Sequence, residues 1–224
     1  MDDHARLLMS PADNSGYAPL LVGALRGLTA ATQDGEVAFL ALTGKIENQI
    51  RDRVAWSLHQ MLSSRLVARE WMRRDLVILG RGLPQAFVEF KAMYSFDAVW
   101  PQKQVEYSGH IARDVEKMTR PHRLDAELFE VVLSTHVGTR VGPDLKGVVK
   151  YIREANKALT QLGDDGLLQE SRRQLRRILS SWGAAERIKL AHGRPWAIDT
   201  VVDAWLVGPI QWPQSVEGLD LTQI

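Results

Sequence analysis

The segment from Arg74 to Lys91 restricts this chain more than any other stretch. Arg74-Asp75-Leu76-Val77-Ile78-Leu79-Gly80 and Leu83 to Lys91 are two apolar runs joined through Arg81-Gly82, with Pro84 just beyond. That is the pattern of a β-hairpin. A turn centred on Gly82 sets Asp75 opposite Glu89, with Cβ atoms roughly 5 Å apart. Lys91, two residues on, shares the Glu89 face, while Val88 and Phe90 take the other. Two carboxylates and an ammonium therefore converge on one side of a mostly apolar hairpin. Like charges that close repel, and burying them is costly unless they are compensated. A divalent cation relieves that cost, so the spacing reads first as a metal site.

What flanks the hairpin adds a third acid. Residues 36–63 are largely helical with a break at Gly44, and Ile50, Val54, Leu58 and Met61 form a stripe at helical spacing that is expected to pack on a sheet. Glu47 lies seven residues before Val54 and continues that stripe, where a functional carboxylate is one reading and a helix-end pair with Arg51 the other. Leu66 to Trp71 forms a strand, with the break before Asp75 left open. Its alternation predicts a face carrying Arg69, Trp71 and Arg73, suited to phosphate or base contact or else to solvation beside a core-edge tryptophan.

Past the hairpin, Gln102 to Thr119 is a predicted helix with Val105, Ser108, Ile111, Ala112, Val115 and Met118 inward, ended by Pro121. Leu128 to Val137 alternates as a strand, with Glu130, Val132, Ser134 and His136 on one face. Asp144 to Leu162 reads as a helix capped by Asp144, Gly163-Asp164-Asp165-Gly166 as a turn, and Leu167 to Trp182 as another helix. On that helix Arg172/Arg176 and Arg173/Arg177 are i,i+4 neighbours forming a basic ridge, either a phosphate-backbone contact or a solvated face paired with Glu170. Trp196 to Val207 is a strand or a short helix. Residues 1–16 read as a loose arm, Tyr17 to Thr32 as a small helix, and Gln211 to Ile224 shows no usable pattern.

Composition narrows the chemistry. A net charge of +1 advertises no global field for nucleic acid, so any such surface is local. The absence of cysteine rules out disulfides, zinc-thiolate centres and thiol nucleophiles and fits a reducing, cytoplasmic setting. The acidic start, Met1-Asp2-Asp3-His4, argues against a signal peptide, and the apolar stretch from Ala18 to Ala31 is too short to span a bilayer comfortably. The histidines lack metal-ligand spacing, and there is no P-loop, dinucleotide fingerprint or nucleophile elbow.

Asp75 followed on the next strand by Glu89-Phe90-Lys91, the only E-x-K of the chain, resembles the PD-(D/E)xK nuclease superfamily, the restriction-endonuclease-like fold. The resemblance covers about Gly44 to Val137 as an order of elements. It implies an α/β chain with an αβββαβ core, a mixed central sheet flanked by helices, and additional N- and C-terminal helices. A single nuclease-like domain, 1–224, would have its core at about 36–162, a helical arm at 1–35 and a helical extension at 163–224. It implies Mg2+, or Mn2+ in its place, held by Asp75, Glu89 and the Phe90 carbonyl, with Glu47 at a second ion or at the water. Lys91 would orient or deprotonate the attacking water, the latter requiring a depressed lysine pKa, or would stabilise charge on the phosphate. Gln104 and Tyr107 are candidates near the phosphate, at a spacing that departs from the superfamily pattern. The implied activity is hydrolysis of nucleic-acid phosphodiesters, DNA first, by a homodimer or with a separate recognition or motor subunit. The alternative is the same fold serving as a non-catalytic nucleic-acid or protein adaptor.

Overall fold

Arg81 and Gly82 set the geometry of the central hairpin. Both have positive φ, 52° and 75°, as a two-residue type I′ turn requires, and glycine supplies the second at no steric cost. The computed structural model describes residues 16–33, 35–119 and 126–211. The turn joins β2 (Arg74–Gly80) to β3 (Leu83–Tyr94). Pairing begins Gly80↔Leu83 and Leu79↔Pro84, then slips by one residue, so that Ile78 faces Ala86, Val77 faces Phe87 and Leu76 faces Val88. One further step along that register sets Asp75 opposite Glu89. The turn thus sits half a residue earlier than expected, and a bulge at Gln85 restores the expected pair. A second tight turn at Met72-Arg73, with φ 49° and 68°, separates β1 (Leu66–Trp71) from β2.

Around this hairpin the chain forms α1 (Ala18–Ala31), α2 (Glu36–Thr43) and α3 (Glu47–Met61) before it. After it come α4 (Ser95–Val99), α5 (Pro101–Thr119), β4 (Glu127–Val137), α6 (Ile152–Leu162), α7 (Asp164–Leu179), β5 (Ala185–Gly193) and β6 (Thr200–Val207). The six strands lie in the order β1-β2-β3-β4-β6-β5. β3 and β4 are parallel, joined by the α4–α5 crossover, and the other pairs are antiparallel. The chain is therefore mixed α/β, a mixed six-stranded sheet flanked by helices.

Each face of the sheet buries its own core. On one side Leu21, Leu25, Ile50, Val54 and Leu58 of α1 and α3 pack on Leu76, Val88, Phe90, Val131 and Val202. On the other, Ile111, Val115 and Met118 of α5 and Leu175 and Leu179 of α7 pack on Val77, Phe87, Val132 and Trp205. Strand alternation explains the division, since neighbouring residues go to opposite faces.

Several expectations need correction. The extension at 163–224 is not helical throughout: after α7 come β5 and β6, and β6 inserts between β4 and β5. Val202 to Val207 is buried on both faces, which leaves a continuous apolar run that periodicity alone does not assign. Only Gly163 (φ 69°) separates α6 from α7, so the expected four-residue turn shrinks and Asp164 opens α7. The helix expected from Asp144 begins at Ile152; before it Pro143–Leu145 is a single 3-10 turn in which Asp144 makes no cap. Met61 and Val105 are exposed, not inward, and Ala112 is exposed as well. The arm at 1–15, Pro121 and the tail at 212–224 lie outside the described residues.

Phe129, near the start of β4, is fully buried, whereas Val105 on α5 is 53% exposed. Phe129→Ala is expected to lower the unfolding free energy by about 3–5 kcal/mol, and Val105→Ala to change it by less than about 0.5 kcal/mol, read by denaturant titration.

Candidate functional site

Beyond Leu76↔Val88 the ladder between β2 and β3 ends, and the second half of β3 runs on without a partner strand on that side. The freed peptide groups find carboxylates instead. The Phe90 N–H donates to Asp75 Oδ2 at 2.8 Å, and the Ala92 N–H donates to Glu47 Oε1 at 2.9 Å. Residues two apart in a strand point their N–H groups the same way, so both acids sit along one edge of β3. The Asp75 N–H in turn donates to Glu89 Oε1 at 3.2 Å. Glu47 is the first residue of α3, where an acid is favoured by the helix dipole. It does not pair with Arg51, which instead contacts Asp52 at 2.9 Å, Glu70 at 3.0 Å and Asp75 at 4.0 Å.

Glu89 and Lys91 point to the α5–α7 face of the sheet. Glu89 is fully buried and forms an ion pair with Lys117 of α5. Lys91 Nζ lies 2.8 Å from Asp114 Oδ2, and Lys117 Nζ lies 3.6 Å from Asp114 Oδ1. Arg74 helps hold α5 in place by donating to the Lys117 carbonyl at 2.7 Å while its guanidinium lies over the Phe87 ring. Beside Glu89 in the parallel ladder stands Glu130 of β4. It is fully buried, and neither carboxylate oxygen has a hydrogen-bond partner among the described residues.

This cluster holds more acid than base. Asp75, Glu89, Asp114 and Glu130 face the ammonium groups of Lys91 and Lys117 and, at 4.0 Å from Asp75, the Arg51 guanidinium. Burial pushes Glu89 up to about 7 against the pull of Lys117, with Asp75 and Asp114 adding to the rise. Burial also raises Glu130 well above the carboxylate range, and the Asp114 charge adds to it. Burial alone would lower Lys91, but its contact with Asp114 and the charges of Glu130 and Asp75 more than offset that, leaving it raised. Lys91 therefore stays an ammonium at neutral pH. The depressed lysine needed for direct proton abstraction is not what this arrangement produces.

The donor chemistry suits a hard cation, since carboxylate oxygens are what magnesium takes. The partnerless oxygens of Glu130 mark where positive charge is short. Among the described residues, however, no group of three or more His, Asp or Glu side chains is arranged to hold a metal ion. Glu89 is held by Lys117, and Asp75 and Glu47 are held by peptide N–H groups. Phe90 contributes its N–H to Asp75, and its side chain lies in the core beneath α1 and α3.

The other predicted residues divide. Glu70 has φ 54°, which breaks the strand alternation, so Arg69 and Trp71 do not share a face. Arg69 reaches Asp52 of α3 at 2.6 Å, and Trp71 packs on Phe87 beneath α5. Arg73 sits in the turn after β1, exposed. The α7 ridge is also broken up. Arg172 is drawn onto buried Asp203 of β6 at 2.8 Å, which Arg187 also contacts at 2.9 Å. Arg173 pairs with Glu170, Arg177 donates to Gln174 and Gln104, and Arg176 is exposed. Gln104 is buried, donating to the Ala98 carbonyl at 2.7 Å. The Tyr107 hydroxyl lies 3.4 Å from both the Ala92 carbonyl and Asp97 Oδ2.

Sequence reasoning missed Asp114, Lys117 and Glu130 as members of the cluster. Glu130 left a signal, an acid interrupting the apolar run from Leu128 to Leu133. Asp114 is buried on α5 next to Val115, and no pattern separated it from a solvated acid. One further constellation connects Ser95 Oγ to His136 Nδ1 at 2.9 Å and His136 Nε2 to Asp164 at 2.7 Å. Ser95 is 1% exposed, so the chain ties α4, β4 and α7 together and offers no open nucleophile.

Glu89 makes stability depend on pH. Its native pKa of about 7 lies above the ordinary 4.5, so the native state holds the proton more tightly than the unfolded chain does. Stability is then highest below pH 4.5 on this account and falls as pH rises to about 7, by an amount on the order of 2–3 kcal/mol. Glu89→Gln, still facing Lys117, Asp75, Asp114, Glu130 and Lys91, is expected to flatten that slope in thermal melts recorded across the interval. An unchanged slope would assign the titration to another group.

Set against known proteins, this chain matches no family model, no curated protein and no solved structure, and the reading of the site stands on its geometry.

Proposed function

We propose that the protein is a divalent-cation-dependent nuclease of the restriction-endonuclease-like plan, hydrolysing phosphodiester bonds of nucleic acid, DNA first. The order α3, β1, β2, β3, α5, β4 supports the αβββαβ plan. The observation that carries the activity is the gathering of carboxyl groups where β2 and β3 part, with Glu130 of β4 buried and without a hydrogen-bond partner beside Glu89. Asp75 and Glu89, with Glu130 and Glu47 beside them, are the residues that would hold Mg2+ or Mn2+ once drawn together, since as they stand no three of the described acids surround a common point. When bound, such an ion supplies Lewis acidity toward a phosphate oxygen and a water of lowered pKa.

The chain's own groups do the rest. Asp75 is fixed by the Phe90 N–H and lies partly open to solvent, with 28% of its side chain accessible. Lys91, anchored on Asp114 and 27% accessible, keeps its charge and is placed to neutralise charge growing on a phosphate oxygen, the role favoured over proton abstraction. Lys117 is paired with Glu89 and would have to release that carboxylate for it to serve as a cation ligand.

A specific observation favours a second reading. Lys91 and Lys117 already partner Asp114 and Glu89, as they would in a cation-free adaptor on the same plan.

Calorimetry with Mg2+ or Mn2+ separates the two. A nuclease binds the cation with affinity that rises with pH through about 7, as Glu89 loses its proton. Asp75→Asn keeps an oxygen for the Phe90 N–H and Lys91→Ala removes only the ammonium, and each is expected to cut cation-dependent cleavage by at least about a hundredfold. Cleavage at wild-type rate in either variant would reject this assignment of residues, and no heat of binding at any pH would favour the adaptor.

A further inference from the structure

Next to the carboxylates a cavity of about 250 Å3 opens between the end of β3, α4, α5 and the segment leading into α6. Its walls are aromatic. Tyr94 and Phe96 stack at 5.2 Å with an interplanar angle of 11°, Tyr151 meets Tyr94 edge-on at 5.1 Å, and Trp100 tilts against Phe96 at 5.5 Å. The charged members of the lining are Lys45 and Lys103 against Asp97, Glu106 and Glu154, with Lys103 held by Glu106 at 2.7 Å, so the phosphate-binding charge lies in an adjoining groove and not in the pocket itself. The volume lies just below the range of drug-sized sites, which suits a single ring system.

Two features mark the cavity as more than a packing gap. Tyr151 is 48% exposed and holds φ 55° and ψ 35°, a conformation uncommon for a bulky residue and found where a side chain is aimed for a purpose. Ala92 lines the cavity while its N–H is held by Glu47 and its carbonyl lies 3.4 Å from the Tyr107 hydroxyl. The aromatic pocket and the acid-lined edge of β3 thus share a residue.

On its far side the pocket meets a broader groove of about 520 Å3 through Glu154, which lines both. Arg140, Lys146 and Arg153 line that groove. Among the described residues none of the three makes an ion pair. Lys157 lies 5.4 Å over the Trp100 ring. Carboxylates, an aromatic pocket and a basic groove therefore follow one another, the sequence of surfaces that a single strand needs for a phosphate, an unstacked base and a polyanionic backbone.

We infer that the aromatic pocket takes an unpaired nucleobase, with the adjoining strand in the Arg140–Arg153 groove, so that the site acts on single-stranded or frayed nucleic acid and not on intact duplex. The inference rests on the nuclease reading for its choice of ligand. A duplex would have to unstack and unpair a base to fill the pocket, at a cost of a few kcal/mol.

The test is fluorescence anisotropy in EDTA, without metal. The probes are labelled oligothymidylate of about 20 nucleotides, longer than one single-strand site, an oligouridylate of the same length, and a blunt duplex. The wild-type chain is expected to bind at least one of the two single strands roughly tenfold or more tightly than duplex, the pair of arms telling DNA from RNA. Tyr151→Asn, which tolerates the left-handed backbone, and Arg153→Glu should each cost roughly tenfold on that strand, and Tyr151→Phe should cost nothing. Equal affinity for strand and duplex, or wild-type binding by both Tyr151→Asn and Arg153→Glu with unchanged melts, overturns the pocket. Cleavage of the same oligonucleotide with Mg2+ reports on the other reading. Single-strand binding that depends on Tyr151 with no cleavage leaves the pocket and removes the nuclease, and Asp75-dependent cleavage with Tyr151-independent binding does the reverse.

Discussion

Burying Glu89 and Glu130 side by side between sheet and helix is the constraint from which the rest follows. Neighbouring buried carboxylates cannot both ionise without compensation, so something positive must come from elsewhere or a proton must stay. In this fold α5 brings Lys117 onto Glu89, while Glu130, with no partner among the described residues and with the Asp114 charge nearby, keeps its proton. Asp114 of α5 anchors Lys91, and the Arg74 guanidinium ties the last turn of α5 to β2. The crossover helix is therefore an electrostatic partner of the sheet as well as an apolar lid over Val77 and Phe87.

The place where this happens is set by a topological accident of sheets. β3 pairs with β2 over its first half and with β4 over most of its length. Where β2 turns away, an edge appears inside the domain, and buried N–H groups need acceptors. Asp75 and Glu47 meet that need at Phe90 and Ala92. On the proposed reading, the same carboxylates that complete the backbone hydrogen bonds are those a cation would recruit. A second charged cluster, Asp203 with Arg172 and Arg187, fastens α7 and β5 to β6 and leaves 23% of the Arg172 side chain accessible.

The sequence made much of this legible, and where it failed the cause is physical. The hairpin could be read because its turn chemistry and its alternation agree, and a slip of one residue would have sent every side chain to the wrong face. The one error there, the position of the turn, was cancelled by the bulge at Gln85. The aromatic–basic face of β1 failed because alternation holds only while φ stays negative, and Glu70 departs from it. The arginine ridge of α7 was real as a spacing, yet one of its members had a buried acid waiting on β6, a segment the sequence left as strand or short helix. β5 was invisible because an edge strand with Glu186, Arg187 and Lys189 outward resembles a charged loop.

By itself the sequence determined the order of α3, the hairpin strands, α5 and β4 and set Asp75 against Glu89, because local periodicity and turn residues act over a few positions. The break between β1 and β2 and the short helix α4 were not fixed by it. It also excluded thiol chemistry outright. Only the tertiary structure decided that Asp114, Lys117 and Glu130 join that pair, that Lys91 remains charged, and that Tyr151 and Trp100 wall a pocket against Ala92. Those outcomes depend on desolvation and on contacts between segments tens of residues apart, and neither quantity is written in the spacing of residues along the chain.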